Sequence, residues 1–133
     1  MEEKRTGIII GRFQVKELHL GHLQLIATAL RECDTVVIVL GISKEEDERN
    51  PFSSIKRQLM ISKIFPQISF WELWDMDSDK LWSMQVDEIG IHYSNPILYH
   101  SRDSFKDHYL GKLPLREVEE VKGYSGTEER SKI

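Results

Sequence analysis

His19 and His22 stand three residues apart around Gly21, where the apolar run Gly7-Ile8-Ile9-Ile10-Gly11 gives way to a helical pattern. A strand feeding a helix N-terminus collects unpaired backbone N–H groups and the positive end of the helix dipole at one spot. Near the far end of the chain, Ser125-Gly126-Thr127-Glu128-Glu129-Arg130 follows another β-like stretch and sits where a last helix would begin. Two imidazoles at one such end, and a hydroxyl pair with an arginine at another, suit a polyphosphate. The chemistry they would support is transfer of a nucleotidyl group, because fixed donors lower the barrier as charge grows on the phosphate oxygens. A histidine pair at this spacing is also compatible with zinc, which needs further ligands. His92, His100 and His108 are scattered, Cys33 is the only cysteine and no HExxH helix exists, so no protein metal ligand is expected.

Three further segments carry candidate groups. In Gly11-Arg12-Phe13-Gln14, directly after the first strand, Gly11 would let the backbone pass close to a phosphate and Arg12 would fork two hydrogen bonds to it. The plain alternative is a turn glycine beside a solvated arginine. Arg49-Asn50-Pro51-Phe52 and Arg57 flank the start of a helix, where cations oppose the dipole unless an anion binds. The alternative is a proline turn with surface arginines. Asp75-Met76-Asp77-Ser78-Asp79-Lys80-Leu81-Trp82 is an acidic loop leading to an aromatic. Its carboxylates could accept bonds from an amide or a ribose, and Trp82 could stack on a flat cationic ring. A capped helix start with Trp82 in the core explains the same letters.

These groups need a scaffold, and alternating apolar runs and helical patterns predict one: α/β, a Rossmann-like open parallel five-stranded sheet flanked by helices. The predicted strands are Thr6 to Gly11, Thr35 to Leu40, Ile68 to Leu73, a fourth strand, and Arg116 to Lys122. For the fourth, Ile97 to His100 is preferred over Ile91 to Tyr93, because Ser94-Asn95-Pro96 is turn chemistry. Helices are expected from His22 to Glu32 (core side Leu23, Ile26, Ala27, Leu30 and Cys33), and after Ser53 or Ser54 as cap (core side Ile55, Leu59 and Ile64, with Pro66 as stop). A third helix fits Ser78 to Ile89, with Leu81, Met84 and Val86 as anchors, and a weak fourth fits Ser104 to Leu110. Gly41 to Asn50 reads as a loop. In such a sheet ligands bind at the carboxyl ends of the strands, and every segment above follows a predicted strand.

Composition sets the bounds. At 133 residues, with 40% hydrophobic and 30% charged residues, the chain is expected to be one domain, residues 1–133. A net charge of -4 argues against wholesale nucleic-acid binding. No apolar stretch approaches a membrane span and no signal peptide is visible. Cys33 reads as a packing residue in a reducing compartment.

Taken together, these motifs resemble the nucleotidyltransferase superfamily with the (H/T)xGH signature. Within it they resemble the nicotinamide mononucleotide adenylyltransferases of the archaeal and bacterial-phage type. The resemblance runs through Gly11-Arg12-Phe13-Gln14, His19-Leu20-Gly21-His22, Arg49-Asn50-Pro51-Phe52 with Arg57, Asp75 with Leu81-Trp82, and Ser125-Gly126-Thr127 with Arg130. It implies transfer of AMP from ATP to nicotinamide mononucleotide, giving NAD and pyrophosphate. By that analogy His19, His22 and Arg49 are the catalytic residues. ATP and its phosphates fall to Gly11, Arg12, Phe13, Gly21, Arg57, the Ser101-Arg102-Asp103 turn, Ser125, Gly126, Thr127 and Arg130. Asp75 and Trp82 take the mononucleotide. Mg2+ would come with ATP and bridge phosphate oxygens. The resemblance implies small-molecule nucleotides as partners and a cytoplasmic enzyme, and it leaves a homo-oligomer open. Other phosphate acceptors (a phosphopantetheine or a sugar-alcohol phosphate), or a nucleotide-binding module without turnover, are the alternatives. The sequence departs from the family in Val15-Lys16-Glu17-Leu18, which is longer and lacks the usual proline. It also departs in a short segment after Arg130 and in what reads as a short third-helix region.

Overall fold

The computed structural model describes residues 4–43, 52–102 and 105–119. Five strands form one sheet: β1 (Thr6–Gly11), β2 (Thr35–Ile42), β3 (Ser69–Trp74), β4 (Pro96–His100) and β5 (Leu115–Glu117). Three helices connect them: α1 (Leu20–Glu32), α2 (Ser54–Ile64) and α3 (Asp79–Ile91). A 3-10 turn, Phe105–His108, lies between β4 and β5. All neighbouring strands are parallel, in the order β3-β2-β1-β4-β5. The chain therefore builds outward from β1 and then returns to its other side. That reversal opens a crevice beyond the carboxyl ends of β1 and β4.

The period of two along the strands divides the core between the two faces of the sheet. Ile9 of β1, with Val36, Ile38 and Leu40 of β2, packs with Ile26 and Ala29 of α1 and Ile61 of α2. Ile8 and Val39 point the other way and pack with Leu98 of β4 and with Val86 and Ile89 of α3. Ile8, Ile9, Ile38 and Leu98 are fully buried. Each such side chain contributes roughly 1.5–3 kcal/mol through removal from water, so the near-continuous β-branched runs of β1 and β2 suit strands covered on both sides.

The first four strands form within two residues of their predicted bounds, and the preferred fourth strand is the one that forms; the fifth is only Leu115–Glu117, and the predicted stretch 120–122 lies outside the described residues. Ile91 is the last residue of α3 and His92 caps it. Several finer expectations are corrected. Gly41 and Ile42 extend β2 rather than starting a loop. α3 is 13 residues long, as long as α1, so its region is not short. The weak fourth helix is only the 3-10 turn. Of the expected α1 anchors, Ala27 is exposed and Ala29 takes its place. Leu81 and Met84 of α3 are exposed, and Ser83, Val86, Ile89 and Gly90 face inward. On α2 the whole expected side is wrong: Ile55, Leu59 and Ile64 are all exposed, and the buried residues are Arg57 and Ile61. The reason is physical. A buried arginine sets the rotational phase of α2, and no apolar periodicity can reveal a cation on the core side.

Arg57 ties three elements together. Its guanidinium donates to the carbonyls of Arg12 at 2.8 Å and Gly41 at 2.9 Å, and its Nε donates to the Ser53 carbonyl at 3.3 Å. These acceptors end β1, end β2 and cap α2. Burial, and then the charge of Arg12, hold its pKa below the usual guanidinium range, with Glu72 acting the other way. Arg57→Met removes these donors from the Arg12 and Gly41 carbonyls at the edge of the crevice. It should lower the unfolding free energy by about 1–3 kcal/mol in urea titrations. A change below about 0.5 kcal/mol would contradict this role for the side chain.

Candidate active site

α1 begins with a cap made by two histidines. His19 is the N-cap residue, with extended backbone, and its Nδ1 accepts from the His22 N–H at 3.3 Å. His22, three residues on, returns the bond: its Nδ1 accepts from the His19 N–H at 3.3 Å. This is a capping box built from imidazoles in place of a hydroxyl and a carboxylate. The rings stack with centroids 3.6 Å apart and an interplanar angle of 21°. The exchange fixes both tautomers. A neutral imidazole that accepts at Nδ1 carries its proton at Nε2, so each ring presents an Nε2–H donor away from the helix. Gly21 is buried between them, and no acidic side chain occupies the first turn. The positive end of the helix dipole is therefore not neutralised by a local carboxylate.

The loop before α1 is held on both sides. Phe13 adopts a left-handed backbone, φ 52°, and its ring is buried 5.0 Å from that of His22. A Cβ at Gly11 would lie 2.8 Å from Phe13 Cε2, so glycine there is a steric requirement of this turn. Gln14 follows and grips Phe52 with its amide: Nε2 donates to the Phe52 carbonyl at 3.1 Å and Oε1 accepts from its N–H at 2.9 Å. Val15-Lys16-Glu17-Leu18 continues as irregular chain, with Leu18 packed against the core.

Beside this loop, at the carboxyl ends of β1 and β2, lies an open cleft of about 710 Å³. Gly11, Arg12, Asp75 and Trp82 all border it, as do Asp79, Phe105 and His108. Arg12 and Asp75 form an ion pair at 2.5 Å. Trp82 is half-buried and packs against Phe105, ring centroids 6.0 Å apart. The structure thus brings four of the expected groups to one cavity; His19 and His22 do not line it, and His22 packs against Phe13, the chain neighbour of Arg12. Ser101 and Arg102 follow β4 at the same edge of the sheet, two and three residues past the register pair Ile9–Tyr99. Arg57 lies beneath this edge with its donors turned to backbone carbonyls. Arg49, Asp103, Ser125, Gly126, Thr127 and Arg130 lie outside the described residues.

Sequence reasoning passed over Gln14, Phe105 and His108 as site residues. Gln14 was readable as part of the Gly11 motif. Phe105 and His108 sit on a 3-10 turn with no periodic signal, and only the fold brings them to the cleft.

A parallel sheet with a crevice at its switch point, and a donor-rich helix start beside it, is the build of a nucleotide-handling α/β protein. The chain belongs to the cytidylyltransferase-like family, whose profile matches residues 8–129. It is 28% identical over 141 residues to a nicotinamide-nucleotide adenylyltransferase of Thermoplasma volcanium, covering 98% of this chain and 76% of that protein. To the enzyme of that name from Methanococcus aeolicus it is 30% identical over 136 residues, covering 96% and 76%. Among solved structures, a bifunctional NMN adenylyltransferase/ADP ribose pyrophosphatase from Francisella tularensis shares the fold. The TM-score is 0.76 at 22% identity, and the match covers 98% of this chain but only 41% of that longer one.

His22 has a pH signature. Burial, and secondarily the nearby charge of His19, lower its pKa from 6.5 to about 4. Between those values the unfolded chain binds a proton that the native state refuses, so stability rises with pH across that window. The contribution is complete above 6.5 and is lost as pH falls through about 4. Urea titrations at stepped pH should show a loss on the order of 2–3 kcal/mol on acidification, and the slope should flatten in His22→Gln. An unchanged slope in the variant would refute the burial of a neutral imidazole.

Proposed function

We propose that this chain is an adenylyltransferase that transfers AMP from ATP to nicotinamide mononucleotide, giving NAD and pyrophosphate. The observation that carries the reading is the histidine cap: two Nε2–H donors with fixed tautomers, at an uncompensated helix start, beside a cleft holding Arg12, Asp75 and Trp82. The names of the relatives support the same reaction. We take residues 1–133 as one domain working in the cytoplasm. No helix among the described residues is long and apolar enough to cross a membrane.

In this reading a phosphate oxygen of the mononucleotide attacks the α-phosphorus of ATP. A bond to that oxygen forms as the bond to pyrophosphate breaks. His19 and His22 donate to the phosphate oxygens, whose charge grows in the transition state. Because His22 is neutral near pH 7, it acts as a hydrogen-bond donor and not as a cation. The Leu20 and Gly21 amides belong to the same first turn and have no intrahelical acceptor. Magnesium, carried in by ATP, neutralises phosphate charge; imidazole and amide N–H groups suit phosphate oxygens rather than a cation. Arg12 turns from Asp75 to a phosphate, and Asp75 then accepts from the acceptor's ribose. Trp82 stacks on the cationic nicotinamide ring. Gly11 and Phe13 shape the turn beneath the phosphates, and Arg57 holds that turn by its carbonyls. Arg49, Ser101, Arg102, Asp103, Ser125, Gly126, Thr127 and Arg130 are assigned to ATP by the motif resemblance.

Incubation with ATP, nicotinamide mononucleotide and magnesium should yield NAD and pyrophosphate by chromatography, with CTP a poor substitute. His22→Ala should lower turnover on the order of 10²–10³-fold, as loss of one preorganised donor does. No dinucleotide with any divalent metal would overturn the reaction, and a near-wild-type rate in His22→Ala would remove the role of the cap.

A further inference from the structure

Two helices turn apolar rows to solvent, and the charges set in those rows are opposite. On α2, Ile55 and Leu59 stand one turn apart and are 69% and 58% exposed. Beside Leu59 a groove of about 580 Å³ runs between α2 and the loop before α1. Leu18, Met60 and Ile64 give it an apolar lining, and Lys16, Lys56 and Lys63 border it against a single acid, Glu17. On α3, Leu81, Met84 and Ile91 are 55%, 55% and 80% exposed. Successive steps of three, four and three residues run from Leu81 through Met84 and Glu88 to Ile91, which is the spacing of one helical seam. Glu88, itself exposed, therefore sits inside the row, and the single cation of α3, Lys80, lies two turns away.

Isolated apolar side chains on a surface are ordinary, but contiguous rows mark contact surfaces. Neither row is used in the core: α2 packs inward through Ile61, and α3 through Val86 and Ile89. Lys16, Lys56, Lys63 and Glu88 have no ion-pair partner among the described residues. The two helices also cover opposite sides of the sheet, so within one copy neither row can cover the other.

We propose that the α2 groove seats the α3 ridge of a second copy of this chain. Leu81, Met84 and Ile91 of one copy pack beside Ile55 and Leu59 of the next, a helix laid into a groove. Glu88 then meets Lys56 and Lys63, which lie seven residues apart on one side of α2. Charge selects this pairing over the symmetric ones. α2 against α2 would set lysines against lysines, and α3 against α3 would bring Glu88 against its own copy. A contact between unlike faces leaves one face of each kind unused in every pair, so association continues past the dimer until a ring closes. The contact is independent of the proposed reaction.

Light scattering on the full chain as it elutes from a sizing column, over a series of chain concentrations, should show masses above the dimer at the high end. Lys56→Glu with Lys63→Glu in one variant, and Glu88→Lys in another, should each weaken assembly by about tenfold or more in sedimentation equilibrium. All three positions are exposed, and circular dichroism of each variant should match the unaltered chain. Mixed in equal amounts, the two variants should assemble again, because each then offers a face whose sign suits the other. Leu59→Ser, which alters no charge, should also weaken assembly. A chain that stays monomeric at every concentration, a dimer that grows no further, charge variants that assemble as the unaltered chain does, or folded variants that stay apart when mixed would overturn the inference.

Discussion

One exchange of hydrogen bonds organises the site: the His19 and His22 imidazoles each accept the other's backbone N–H. Helix starts always leave unpaired amides, and side chains that pair them are ordinarily hydroxyls or carboxylates. Imidazoles do the same work with one nitrogen and keep a donor on the other. The cap therefore stabilises α1 and, by the same bonds, fixes where two protons sit. A carboxylate in the first turn would cap as well but would repel a phosphate. Burial, and then the nearby charge of His19, keep His22 uncharged near neutrality, so in the proposed role it would act by direction rather than by charge.

That cap is only as well placed as the loop leading to it. β1 delivers the chain to the crevice, and the left-handed Phe13 turn sends it back toward α1. From below, Arg57 bonds the carbonyls that end β1 and β2. From the side, Gln14 holds Phe52 just ahead of α2. Strand ends, turn and two helix starts are thus locked by polar groups, each with its partners present. Buried networks of this kind specify one arrangement when fully satisfied and are costly when they are not. The Val15 to Leu18 segment runs between these anchors and the histidine cap.

Much of this was legible in the sequence, for identifiable reasons. β1 and β2 announced themselves because strands buried on both faces read as unbroken β-branched runs. Pro96 and its turn residues separated the true fourth strand from Ile91-His92-Tyr93. The histidine spacing pointed to a helix start, and the structure added the reciprocal bonding that no spacing rule states. α2 was misread because its inward side carries Arg57, while Ile55, Leu59 and Ile64 face solvent. In α3, Ser83 occupies a core position for its hydrogen bonds, and apolar counting favoured the exposed Leu81 and Met84 instead. Phe105 and His108 were invisible for a different reason. They reach the cleft only because Ser83 and Asp87 hold a non-helical segment against α3, a long-range pairing that leaves no local periodicity.

The central claim is that the cap sets both imidazoles as Nε2–H donors aimed at phosphate, and ring-nitrogen NMR of the two histidines addresses it most directly. With ¹⁵N-labelled protein near neutral pH, His19 and His22 should both show the pattern of a neutral ring protonated at Nε2. Addition of magnesium with a non-hydrolysable ATP analogue should shift the Nε2 signals of both while the Nδ1 signals stay bonded. Protons found on Nδ1 in the free protein, or Nε2 signals unmoved by saturating nucleotide, would contradict the account.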